Sequence, residues 1–246
     1  MRVRALTALL ALVPIGAGAM VGQANDVSAA LRDGAAILEV ANNTRPNCCD
    51  YKVRPPVFFR EDWRETPLAA PITQGHVANP DLILTLWGPG KDGIRKSHHT
   101  PLPADDPYYT FSGPAKGNWA VTLRHRAAYV DLTGVAKLRW RINESGLRQL
   151  HVIIRLADGR WFVSQEADGP TSDWREREFN FRDFHWQGFE PNSVVETGPV
   201  DHIDLSRVDE IGYTDLMTGG DVSGAPSGAA ASRLDWIEVQ GWPVRR

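Results

Sequence analysis

From residue 57 onward the chain is dominated by alternation of apolar and polar positions. Lys137-Leu138-Arg139-Trp140-Arg141-Ile142 turns every second side chain apolar, the period of a strand with one buried face. Arg177-Glu178-Phe179-Asn180-Phe181 alternates in the same way. Leu82-Ile83-Leu84-Thr85-Leu86-Trp87, Trp119-Ala120-Val121-Thr122-Leu123 and Leu150-His151-Val152-Ile153-Ile154-Arg155-Leu156 are more continuously apolar and short enough for strands. Glu144-Ser145-Gly146 and Asp158-Gly159 supply turn chemistry between such runs, the second leading into Arg160-Trp161-Phe162-Val163. Glu210-Ile211-Gly212-Tyr213 and Leu234-Asp235-Trp236-Ile237-Glu238-Val239 complete the set. No long amphipathic helix separates these strands, so the pattern predicts an all-β sandwich. Residues 88–113 and 218–232 do not read as strands, and loops of that length often carry function.

The N-terminus follows a different pattern. Arg2 and Arg4 precede an apolar stretch over residues 5–17, then small residues. That is the layout of a secretory signal, and the run is short for a bilayer span. Ala17-Gly18-Ala19 and Gly22-Gln23-Ala24 both suit a signal peptidase, with cleavage expected after Ala24. The expected organisation is a signal over 1–24, an N-terminal extension over 25–56 and a sandwich over 57–246. Val27, Leu31, Ile37, Leu38 and Val40 among alanines suit one short helix in the extension. A secreted or periplasmic location follows, with no membrane span after signal cleavage.

Charge and composition then narrow the partners. The chain has 27 basic and 30 acidic residues; loss of Arg2 and Arg4 with the signal moves the net charge from −3 to −5. No concentrated basic surface is evident, so nucleic acid is not an expected partner. Nine tryptophans are many for this length. Their flat apolar faces and polar edge suit both cores and sugar binding. The two cysteines, Cys48 and Cys49, are adjacent, which excludes a disulfide framework.

Several short motifs carry a resemblance. Val130-Asp131-Leu132-Thr133-Gly134 leads into a strand, Ser172-Asp173-Trp174 precedes another, and Arg182-Asp183-Phe184 follows it. Ile203-Asp204-Leu205-Ser206 precedes a short strand, and Leu234-Asp235-Trp236-Ile237 opens the last one. Over residues 57–242 this order resembles the galactose-binding-like jelly rolls, which include several carbohydrate-binding module families. The resemblance implies a jelly-roll β-sandwich, with the short N-terminal helical extension outside it, and carbohydrate as partner. It also implies a structural calcium between an acidic residue of the first strand, Glu61 or Asp62, and Asp235 of the last. Phe58-Phe59-Arg60-Glu61-Asp62-Trp63 also resembles the first strand of laminin-G-like and concanavalin-like glycan proteins. The paired glutamates of that fold's retaining hydrolases are missing; Glu210 and Asp215 are five apart, the wrong spacing.

The richest chemical stretch is 91–109. Lys96, His98, His99, Asp106, Tyr108 and Tyr109 bring a cation, proton carriers, a carboxylate and stacking rings into one loop. His98, His99 and Tyr109 are the catalytic candidates if a lyase or glycoside hydrolase resides here; a polar surface loop is the alternative. Trp174, Trp186 and Tyr213 lie near strand ends as stacking candidates, and Asp215 beside Tyr213 could accept hydrogen bonds from sugar hydroxyls. Trp140 and Trp161, inside strands, are expected in the core, and His125, His151, His185 and His202 are expected to be structural. No phosphate-binding glycine loop, serine nucleophile elbow or zinc-protease helix is present. The leading expectation is an exported carbohydrate-binding protein. A carbohydrate-active enzyme and a surface-assembly protein are the alternatives.

Overall fold

A computed structural model describes residues 53–97, 108–216 and 230–246. The signal, the helical part of the extension, Cys48, Cys49, His98, His99 and Asp106 lie outside the described residues. Fifteen strands follow in order: β1 (Val57–Glu61), β2 (Leu82–Trp87), β3 (Arg95–Ser97), β4 (Tyr109–Phe111), β5 (Ala120–His125), β6 (Ala128–Asp131), β7 (Lys137–Glu144) and β8 (Leu150–Leu156). Then come β9 (Trp161–Asp168), β10 (Arg175–Asn180), β11 (Trp186–Glu190), β12 (Val195–Val200), β13 (Val208–Thr214), β14 (Ser232–Gln240) and β15 (Trp242–Arg245). The described helices are three single 3₁₀ turns.

The strands form a jelly-roll β-sandwich of two antiparallel sheets. Sheet A runs β10-β7-β14-β4-β3, with β1 also paired to β14; sheet B runs β12-β11-β9-β8-β13-β5-β2, with β6 and β15 attached through β13. Alternation decides the layers. In β7, Leu138, Trp140 and Ile142 are fully buried while Lys137, Arg139 and Arg141 face out. In sheet B, Val121, Leu123, Val152, Ile154, Ile211 and Tyr213 point at sheet A. Trp140 lies in the core as expected, and its indole N–H donates to buried Asp168 Oδ2 at 3.0 Å, which removes the cost of an unpaired donor. Arg177 donates to the same carboxylate at 3.2 Å.

Turns follow their residues. Gly159 sits at φ +93, its N–H donating to Leu156 O at 3.0 Å, while Asp158 Oδ1 accepts from Arg160 N at 3.0 Å. That is the Asp-Gly hairpin between β8 and β9, a backbone form glycine tolerates without strain. Within 88–113, expected to be without strands, β3 and β4 pair with each other over three residues each. Three-residue strands are too short for a period of two to register.

Candidate functional site

The outer face of sheet B is built from three rows that cross the strands. In the first, Ile83, Arg124, Glu210, Arg155 and Trp161 stand directly opposite one another across β2, β5, β13, β8 and β9. The second holds Thr85, Thr122, Gly212, Ile153 and Val163, and the third Trp87, Ala120, Thr214 and His151. Residues on one face of a sheet at opposed positions touch or nearly touch, so these rows form one continuous layer, in which Ala120, Thr122, Ile153, Val163 and Thr214 are fully buried and Arg124, Arg155, Trp87 and Trp161 are partly exposed.

That surface is strongly curved. Trp87 on β2 and Trp161 on β9 have three strands between them, yet their rings meet at 5.1 Å, 72° apart in plane. Gly212, the centre of the middle row, has no side chain to obstruct them. A Cβ there would lie 1.9 Å from Val121 O and 2.8 Å from Thr122 Cα, so β5 and β13 approach closely at the bend. Phe189 and Val194 complete a second apolar cluster with Ala120, Ile153 and Val163 on this face. Val194 is fully buried with φ +55, a strained conformation for a β-branched residue. Asn118 Nδ2 holds its carbonyl at 2.8 Å.

A polar chain crosses the rows from the third to the first. Trp87 Nε1 donates to Thr122 Oγ1 at 2.9 Å, and that hydroxyl donates to Glu210 Oε2 at 2.8 Å. Arg155 Nη1 donates to Glu210 Oε1 at 2.9 Å, and the Arg155 guanidinium stands 5.7 Å from the Trp161 ring. Asp209, 3.7 Å from Arg155, is also bound by Arg246 at 2.5 Å. His151 donates from Nδ1 to Ser164 O at 2.8 Å, since a carbonyl only accepts. Burial lowers its pKa, which keeps the ring neutral at neutral pH. The face therefore offers half-buried indole surface beside a carboxylate fixed by Arg155 and Thr122 on the two neighbouring strands. Trp161, expected in the core, belongs to this face instead, because Phe162 takes the inward position. The strand pattern assigned no site role to Trp87 or Arg155, and Glu210 entered only as a carboxylate at the wrong spacing from Asp215 for a retaining hydrolase. The available signal was that Trp161 and Phe162 must point to opposite faces.

Several residues singled out from the sequence lie elsewhere, around β3, β4 and β14 of sheet A. Lys96 Nζ lies 4.2 Å from the Tyr108 ring, and Tyr108 Oη donates to Glu65 at 2.8 Å. Tyr109 is buried with its ring 5.2 Å from Trp174, whose other neighbour is the Arg141 guanidinium at 5.4 Å. Arg141 donates to Asp235 at 2.8 Å. Burial pulls the Lys96 amine down to about 8, against the attraction of Asp235, and pushes the Asp235 carboxyl up to about 6, against the pull of Arg141. Most polar groups in this cluster are already engaged with one another.

Trp186 lies on the inner side of β11, almost buried and 5.3 Å from Phe184. Tyr213 and Asp215 are interior residues. Tyr213 is 1% exposed, packs edge-on against Trp119 at 6.0 Å and shares a 2.6 Å hydrogen bond with Thr110. Asp215 pairs with buried Arg148 at 3.1 Å. Neither presents a surface to a ligand, since β13 is a central strand and its inward positions are covered on both sides.

The three carboxylates expected to hold calcium have protein partners. Glu61 accepts from the backbone N–H groups of Trp63, Ala78 and Asn79 at 2.7–3.0 Å. Asp62 is held by Arg60 at 2.7 Å and Asp235 by Arg141. Among the described residues no group of three His, Cys, Asp or Glu side chains is assembled for a metal.

No family model matches the chain, and no curated protein matches it. Among solved structures it is similar to the family 11 carbohydrate-binding module from Clostridium thermocellum in complex with a β-1,3-1,4-mixed-linked tetrasaccharide. That match has 12% identity and a TM-score of 0.40, covering 69% of this chain and 93% of the module. It is also similar to a variant of the family 29 module CBM29-2 complexed with mannohexaose, at 14% identity and a TM-score of 0.40 over 77% of this chain and 94% of that one. At such scores the likeness carries no argument, and the sandwich assignment stands on the strand pairing above.

Proposed function

We propose that this is an exported carbohydrate-binding protein whose outer sheet B face receives the glycan. The observation that supports this most is the row Arg124–Glu210–Arg155–Trp161 with Trp87 folded over it. A sugar ring has an apolar C–H face and hydroxyls that both donate and accept. Indole surface suits the first, and a carboxylate held beside the Arg155 guanidinium suits the second. Glu210 is anchored at both oxygens by Thr122 and Arg155, so its orientation is set before any ligand arrives, which lowers the ordering cost of binding. Export rests on the N-terminal pattern of Arg2, Arg4 and the apolar stretch after them. No described helix is long and apolar enough to cross a membrane.

The test is depletion of the purified full chain by a panel of insoluble β-glucan, mannan, xylan and pectin, read together with tryptophan fluorescence. Retention on one polymer, with soluble fragments of it changing the emission, is the expected result. A chain that stays in solution with every polymer, its emission unchanged, removes the proposal for that panel.

A further inference from the structure

At one end of the sandwich a separate cleft of about 670 Å³ opens between the sheets. Its floor is Leu132, Phe184, Trp186, Ile203 and Leu205, all members of the main core. Its rim carries Gln165, Arg182, His185, Asp201 and His202, contributed by β9, the segment after β10 and the loop after β12. The volume lies in the range of small-molecule sites, and an apolar floor with a few convergent polar groups is their usual lining.

One rim residue is held in place although it is exposed. The His185 side chain is 77% exposed, yet Glu166 fixes it twice: Oε1 takes the ring Nδ1 at 2.6 Å and Oε2 takes the backbone N–H at 2.8 Å. An ionised carboxylate only accepts, so Nδ1 carries a proton and Nε2 is the ring nitrogen left to meet a ligand. An exposed side chain normally keeps its rotamer freedom, and fixing it has an entropic cost. Here the fixed ring sets a polar edge at the mouth, while Arg182 and Gln165 add donors and Asp201 adds an acceptor.

We infer that this cleft is a second binding site, for a neutral saccharide of one or two rings, separate from the outer sheet B face. The mixed donors and acceptors of the rim match vicinal hydroxyls. The aromatic and aliphatic floor matches the C–H face of a pyranose. A strongly charged ligand fits less well, because Arg182 already pairs with Asp183 at 3.4 Å and Asp201 contributes a negative charge on the same rim.

The experiment is an amide-resolved NMR titration of the full chain with soluble disaccharides of glucose, mannose and xylose. It is repeated with His185→Ala, Glu166→Gln and Trp161→Ala. Saturable shifts are expected at Gly134, Gln165, His185 and His202 with at least one sugar. Affinity should fall about tenfold in His185→Ala and less in Glu166→Gln, where an amide still bonds Nδ1 or the backbone, and it should be kept in Trp161→Ala. Shifts confined to the row around Trp161, or full affinity in His185→Ala, overturn the second site while leaving the first standing. Cleft shifts without polymer retention support the second site and count against the first.

Discussion

The rings of Trp87 and Trp161 meet edge to face at 5.1 Å across three intervening strands. The contact requires sheet B to curl towards its outer face, and Gly212 lies under the bend. Gly212→Ala places a methyl against the backbone of Val121 and Thr122, which cannot swing aside as a side chain would. A loss of roughly 1–3 kcal/mol in urea unfolding is expected, in line with overpacked interiors, together with weaker glycan retention. An alanine variant as stable as the parent would mean that the strands are not held this closely.

Thr122 joins the two halves of the polar chain, accepting from Trp87 and donating to Glu210. Thr122→Val keeps the shape and removes both bonds, leaving an indole donor and a carboxylate oxygen short of a partner. The expected cost is about 1–3 kcal/mol, with altered emission from Trp87. Unchanged stability and spectrum would show that the chain does not act as a unit.

Glu144 is fully buried, and burial raises its pKa well above that of a free glutamate. Its proton is therefore held more tightly in the folded chain than in the unfolded one. The stabilisation is complete below the unfolded value, near 4.5, and is lost as pH rises towards the folded value. Glu144→Gln cannot ionise, so its melting temperature relative to the parent should rise as pH climbs above the unfolded value. A constant difference over that range would mean that Glu144 is already charged in the fold.

Asp62 and Asp235 are neutralised by Arg60 and Arg141, and Glu61 is taken by backbone amides. Millimolar calcium is therefore expected to leave the melting temperature of the full chain within a degree or so, since a ligand stabilises only as far as it binds the folded state. A saturable rise of several degrees, abolished in Asp235→Asn, would establish the calcium site that the jelly-roll resemblance implies.

Much of the scaffold was legible from periodicity. β2, β7, β8 and the core of β14 coincide with runs whose alternation or apolar length is plain. The hairpin at Asp158-Gly159 forms where its residues demand it. β12 was not legible, because Val-Glu-Thr-Gly-Pro-Val has a mostly exposed pattern with nothing to bury. The site was harder to read for a different reason. A period of two says that Trp161 and Phe162 face opposite ways, but not which of them faces the other sheet. Likewise Tyr213 and Asp215 stand near a strand end, and only the strand order reveals that β13 is flanked on both sides. The acceptor role of Glu210 depends on Thr122 and Arg155, 88 and 55 residues away in sequence, a relation that no local motif records.

The most direct test is the binding isotherm of Trp161→Ala on whichever polysaccharide retains the parent chain, with Leu147→Ser as the control at a highly exposed turn position. The outer sheet B face predicts at least a tenfold loss of affinity, about 1.4 kcal/mol, in Trp161→Ala, with an unchanged isotherm in Leu147→Ser. Parent-like binding by a folded Trp161→Ala would contradict it and move the glycan off this face.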